Sequence, residues 1–176
     1  MTLAHILCVL SIFSACIALM ALDTPTTVAR SDDLRVGRVT NLPLPRYVSL
    51  KTKKANVRRG PSLTYRIDWV YQLRNMPLQI TAEYGHWRRV IDSDGQGGWV
   101  HYVLLSGVRT VIVEKDLLAL RNKPSETARV RAKLEQNVIA QLEECQGAWC
   151  ELNAGGYTGW AHKSAFWGSG PEVLVN

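Results

Sequence analysis

The chain has 176 residues, 47% of them hydrophobic and 20% charged, with a formal net charge of +6. It is too apolar for a disordered polymer and too short for more than one or two small domains. Only four cysteines in this length exclude a disulfide-dense scaffold.

In chain order, residues 3–22 (LAHILCVLSIFSACIALMAL) contain no Asp, Glu, Lys or Arg. The run is about long enough to cross a bilayer, so residues 1–22 read as a signal peptide or membrane anchor outside the fold. No Lys or Arg precedes it, and Leu19 lies three positions before the small-residue cleavage point after Ala21. Cleavage, retention as an anchor, acylation at Cys16 and a buried core helix all stay open. Residues 23–45 mix Thr, Pro, Asp and Arg without periodicity and read as a linker.

A repeat follows. NVRRGPSLTYR (56–66) returns as ALRNKPSETAR (119–129), YGHWRRV (84–90) as QGAWCEL (146–152), and GWVH (98–101) as GWAH (159–162). The offsets of 63, 62 and 61 are single-residue deletions between matched blocks, and one unit is about sixty residues. Units at 46–107 and 108–168 use up the chain, leaving a tail at 169–176. YVSLKTKKANVR (47–58), LQITAEY (78–84), WRRVIDS (87–93) and GWVHYVLL (98–105) alternate as short strands between turn signals. The fold class is therefore all-β, two tandem small barrels or sandwiches. Units this small are marginal alone, so Trp87, Trp99, Trp149 and Trp160 are expected at the core or its edge.

Outside residues 1–22 only Cys145 and Cys150 remain, in CQGAWC. In an oxidising compartment that spacing suits a disulfide across a hairpin, worth about 2 kcal/mol; two reduced thiols are the alternative. With no Cys or His close in sequence, they make a poor zinc site. The charge is uneven: ten Lys and Arg stand against four Asp and Glu in 46–107, but eight against seven in 108–168. The first unit is thus suited to anionic partners.

ANVRRGPS, GHWRRV and GGWVHYVLL, in that order and spacing, resemble the bacterial SH3-like domain, often called SH3b, over the whole first unit. The resemblance makes Gly60, Pro61, Gly98, Pro124 and Gly159 turn or close-packing positions. It implies two tandem SH3-like β-barrels and a non-catalytic role, commonly recognition of peptidoglycan peptides in exported proteins. The second unit departs from the pattern, with Leu120 for Val57, Asn122-Lys123 for Arg59-Gly60 and Ala161 for Val100. Lys123 in place of the turn glycine leads us to expect a locally different turn.

Nothing assembles an enzyme. His5 lies in the apolar head, His86 in a hairpin, and His101 and His162 at matched places in both units. DSDG (92–95) is a hairpin signal lacking the later ligands of a calcium loop. No nucleophile elbow, HExxH motif or phosphate loop is present, and neither cofactor nor metal is expected. Binding is expected in the first unit, where Trp69 and Tyr71 share one strand face. Beside them, Arg58, Arg59, Tyr65 and Arg66 would complete a cationic aromatic groove for carboxylate-bearing peptides. The expected partner is peptidoglycan or an acidic envelope protein, not nucleic acid. The expected location is periplasmic, or anchored through residues 1–22 and facing the periplasm.

Overall fold

The computed structural model describes residues 35–170. The expected export segment, the start of the 23–45 linker and the end of the tail lie outside the described residues. Among the described residues, no helix is long and apolar enough to cross a membrane.

Two short strands, β1 (Arg35–Val36) and β2 (Pro43–Leu44), pair antiparallel ahead of the repeats. The first unit then runs β3 (Arg46–Leu50), β4 (Ala55–Arg58), β5 (Ile67–Tyr71), β6 (Pro77–Tyr84), β7 (Trp87–Ile91), β8 (Gly97–His101) and β9 (Leu105–Ser106), with a 3-10 turn at Tyr102–Leu104. The second runs β10 (Thr110–Val113), β11 (Leu118–Arg121), β12 (Val130–Leu134), β13 (Ile139–Gln146), β14 (Trp149–Ala154), β15 (Tyr157–His162) and β16 (Phe166–Trp167), with a 3-10 turn at Lys163–Ala165. Strand order is β5-β4-β8-β7-β6-β3-β9 in the first sheet and β12-β11-β15-β14-β13-β10-β16 in the second, position for position the same. The all-β tandem expected from the repeat is the fold observed.

Alternation explains each core. One face of every strand turns inward, so Val48, Leu50, Val57, Leu78, Ile80, Val90 and Val100 fill the first barrel, and Val111, Val113, Leu120, Leu142, Leu152 and Phe166 fill the second. Register shifts fall at Val57/Arg58 and Ile80/Ala82, and at the matched Leu120/Arg121 and Leu142/Cys145. Such bulges bend a strand and let a short sheet curl around its core. In both units the glycine of the Gly-Trp pair allows β4 to approach β8, or β11 to approach β15. A Cβ on Gly98 would lie 2.7 Å from the Arg58 carbonyl, and one on Gly159 2.9 Å from that of Arg121. Trp160 is buried, whereas Trp87, Trp99 and Trp149 are half-buried.

Two expectations need correction. The described part of the linker is no slack tether: Gly37 and Leu42 close the β1–β2 hairpin with a 2.8 Å backbone bond, and the chain between them is held by Glu83. That carboxylate accepts from the Val39 and Thr40 backbone N–H groups, the Thr40 hydroxyl and Arg46 at 2.6–3.1 Å, with Arg88 at 3.5 Å. Its side chain has no exposed surface. Burial opposes ionisation, but the donors from Arg46, Thr40 and Val39 outweigh it and lower the pKa to about 2.

Nor does Lys123 change the turn. Ser62 N–H donates to the Gly60 carbonyl and Tyr65 N–H to that of Ser62; Ser125 to Lys123 and Ala128 to Ser125 repeat this in the second unit. Gly60 is required by contact rather than backbone angle, because a Cβ there would sit 2.6 Å from the Tyr65 ring. The second unit has Ala128 in place of that ring, which leaves room for Lys123.

The barrels also touch each other. The Tyr47 and Trp167 rings meet edge to face at 5.1 Å, and the hydroxyl of buried Thr110 donates to the Asn75 carbonyl at 2.7 Å. Burial, then the nearby Glu114 charge, raises the Tyr47 phenol above its ordinary pKa.

Candidate functional site

The groove expected around Trp69 and Tyr71 is only partly assembled. Tyr71 is 6% exposed, inside the first core, with its hydroxyl 3.3 Å from Asp92 Oδ2 and 3.2 Å from the Gln96 carbonyl. Burial, then the Asp92 charge, holds its phenol above the ordinary range. Trp69 is half-buried against the same core, 6.5 Å from the Tyr71 ring. Strand alternation correctly puts both on one face, but that face points inward. Arg59 and Arg66 are exposed yet already share a carboxylate: Arg66 Nε lies 2.7 Å and Arg59 Nε 3.5 Å from Asp68. Desolvation of Asp68 works against its charge, but the Arg66 hydrogen bond and the two guanidinium charges prevail and lower its pKa. Tyr65 remains, lying over Gly60 and half in solvent.

Arg58 leads to a different place. Its Nη1 donates to the Leu63 and Tyr65 carbonyls at 2.9 and 2.6 Å, bracing the loop after β4, as Arg121 does with Ala128 at 2.7 Å. Between this loop and the 3-10 turn lies a cleft of about 380 Å³, lined by Lys54, Asn56, Arg58, Leu63, Trp87 and His101 among others. The second barrel has its counterpart, about 360 Å³, lined at the matched positions by Leu117, Ala119, Arg121, Glu126, Trp149 and His162. In both, the tryptophan meets the histidine edge to face, at 5.4 and 5.5 Å. In both, the histidine Nδ1 accepts from the backbone two residues on, at Val103 and Ser164, and so caps the 3-10 turn.

The two clefts differ in charge. The first is lined by Lys54 and Arg58 with no acidic residue. The second is lined by Asp116 and Glu126 alongside Lys115 and Arg121, and Glu126 lies 3.6 Å from Arg121. In the first barrel the cleft residue His101 also belongs to an aromatic cluster: His86 and His101 stack on Tyr102 at 5.6 and 5.2 Å, and the Arg88 guanidinium lies 5.8 Å from that ring. The matched positions in the second barrel are Ala148, Lys163 and Cys150. Sequence reading missed this cleft, although matched histidines beside matched tryptophans were its signal. Among the described residues no three His, Cys, Asp or Glu side chains gather to hold a metal.

The fold and its repeated cleft define a tandem of small SH3-like barrels. The family model described as "Bacterial SH3 domain" matches residues 51–107 and 114–168, and the chain belongs to that family. Among solved structures, it is similar to NlpC2 from Trichomonas vaginalis (13% identity, TM-score 0.34, covering 69% of this chain and 47% of that one). It is likewise similar to NlpC1 from the same organism (13% identity, TM-score 0.34, covering 75% and 49%). The chain thus spans about half the length of these structures. No curated protein matches its sequence. Cys145 and Cys150 form a disulfide across the β13–β14 hairpin.

Proposed function

We propose that the chain is a non-enzymatic binding protein of the bacterial envelope, which takes the carboxylate-bearing stem peptide of peptidoglycan in the cleft of its first barrel. The observation that carries this is the charge difference between two clefts of matched construction. The first presents Lys54 and Arg58 beside Trp87 and His101 with no acid, whereas the second brings its own Asp116 and Glu126. A carboxylate is attracted to the former and repelled by the acids of the latter. Membership of the family supports the wall as partner, since its domains commonly bind peptidoglycan. The uncharged run at 3–22 and the Cys145–Cys150 disulfide support export to an oxidising compartment, with the protein periplasmic or anchored facing the periplasm.

Co-sedimentation with isolated sacculi tests the reading. Lys54→Glu should weaken pelleting roughly five- to tenfold and the matched Leu117→Glu should leave it unchanged. Pelleting indifferent to Lys54→Glu would move the site elsewhere. No pelleting at any salt concentration would leave an acidic envelope protein as the partner to seek.

A further inference from the structure

A further concavity lies outside both clefts. It is a space of about 410 Å³ between the barrels, walled from the first by Lys51, Arg74 and Asn75 and from the second by Thr110, Gln141 and Asn153. It exists only because the repeats dock. Thr110, buried, fixes the two walls by its hydroxyl bond to the Asn75 carbonyl, and Tyr47 against Trp167 holds the same junction. A cavity of this size falls within the range of small-molecule sites, about 300–1,000 Å³, and needs no rearrangement to receive a ligand.

Its chemistry is specific. Thr110 pairs with Gln141 and Gln141 with Asn153 across three neighbouring strands, so their side chains form a row on one sheet face. Each amide offers both donors and acceptors. Opposite the row stand Lys51 and Arg74. Among the described residues none of the Lys51, Arg74, Gln141 and Asn153 side chains has a hydrogen bond or ion pair, and no carboxylate lines the space. Amides suit hydroxyl and acetamido groups, and two unpaired cations suit one acid group.

We propose that the space between the barrels is a second binding site, for an N-acetylated sugar with a free carboxylate, of the kind wall glycan presents where its stem peptide has been removed. The amide row takes the ring hydroxyls and acetamido group, and Lys51 and Arg74 take the carboxylate. The choice of sugar rests on the wall-binding reading; the site itself does not.

The test is amide chemical-shift titration of the isotope-labelled full chain with N-acetylmuramic acid, N-acetylglucosamine and acetate. Saturable shifts centred on Lys51, Gln141 and Asn153 are expected with N-acetylmuramic acid, and at least about tenfold weaker binding with the neutral sugar or acetate alone. Lys51→Met with Arg74→Met should remove about tenfold or more of that affinity. Both side chains are exposed, so an unchanged spectrum elsewhere certifies the fold. Lys54→Glu should leave the titration unchanged while reducing sacculus pelleting, which separates this site from the stem-peptide cleft. Absent shifts, shifts centred on another surface, or equal binding of acetate would overturn the proposal.

Discussion

The two barrels share strand order, bulges and clefts, but they are held together by different couples of residues. Glu83 and Arg88 face each other across the β6–β7 hairpin, where the second barrel has Cys145 and Cys150. Gly60 under the Tyr65 ring becomes Lys123 with Ala128, and buried Tyr71 with Asp92 becomes Leu134 with Ala154. In each case both partners change. A repeat that has diverged thus shows which contacts are single units, since half of any couple would be left with an orphaned charge, a clash or an unpaired hydroxyl.

The largest effect is expected at Glu83, where one carboxylate joins two arginines to the segment ahead of the repeats. Glu83→Ala would leave Arg88, itself buried, without its counter-charge. Urea unfolding followed by tryptophan fluorescence should show a loss of about 3–5 kcal/mol in the first barrel, with the second unaffected. Because the folded-state pKa of about 2 lies below the ordinary 4.5, this carboxylate's contribution is whole above about pH 4.5 and disappears as pH falls toward 2. The acid-sensitive part is worth on the order of 3 kcal/mol. Glu83→Gln should flatten that acid limb; an unchanged limb would remove Glu83 from the account.

The second barrel's couple is expected to be worth less. Cys145→Ser with Cys150→Ser should cost about 2 kcal/mol, the value for closing so short a loop. The loss should appear in the second transition only, and reductant should reproduce it in the native chain. A loss shared equally by both transitions would mean that the barrels unfold as one unit, with the Tyr47–Trp167 and Thr110–Asn75 contacts strong enough to couple them.

The repeat, its alternation and the cysteine spacing were enough to read the tandem, most of the strands and the disulfide from sequence, because those signals are local. The runs at 47–58 and 98–105, however, each fold as two strands, broken at 51–54 and at the 3-10 turn Tyr102–Leu104. The sites were less legible, for a different reason in each case. Alternation assigns Trp69 and Tyr71 to one face without saying which face is inside. The Arg59, Arg66 and Asp68 charges are close in sequence, but that the two arginines spend their charge on Asp68 is a matter of loop geometry. The first cleft joins Lys54, Trp87 and His101 from three separate strand ends. The Glu83 anchor draws on donors more than forty residues upstream, in a segment without periodicity.

A cycle at the loop after β4 should show a smaller coupling. Gly60→Lys alone should cost about 1–2 kcal/mol, since the new Cβ meets the Tyr65 ring and pushes it into solvent. Adding Tyr65→Ala should recover most of it, because that combination already stands in the second barrel as Lys123 and Ala128. Costs that simply add in the double variant would mean that the glycine serves something other than the ring.

The smallest effect belongs to Tyr71. Replacing it by Phe keeps the ring in the core and removes only the hydroxyl near Asp92 and the Gln96 carbonyl, for a loss of about 1 kcal/mol at neutral pH. The folded-state pKa of this phenol is raised, so the stability it contributes is present below the ordinary value of 10 and is lost as pH rises through the folded value. Tyr71→Phe should therefore weaken the alkaline limb of first-barrel unfolding, leaving the part due to Tyr47. Adding Asp92→Ala should not be neutral even though the second barrel has Leu134 and Ala154. Asp92 Oδ1 also accepts from the Asp94 and Gln96 N–H groups, at 3.1 and 2.8 Å. The second barrel makes the matched turn with Gly155 and Gly156, at φ of 57° and 87°, without that carboxylate. Exchanging this couple needs the glycine turn as well, which is one residue shorter in the second barrel, and a transplant of the couple together with the whole turn should recover what the two-residue exchange loses.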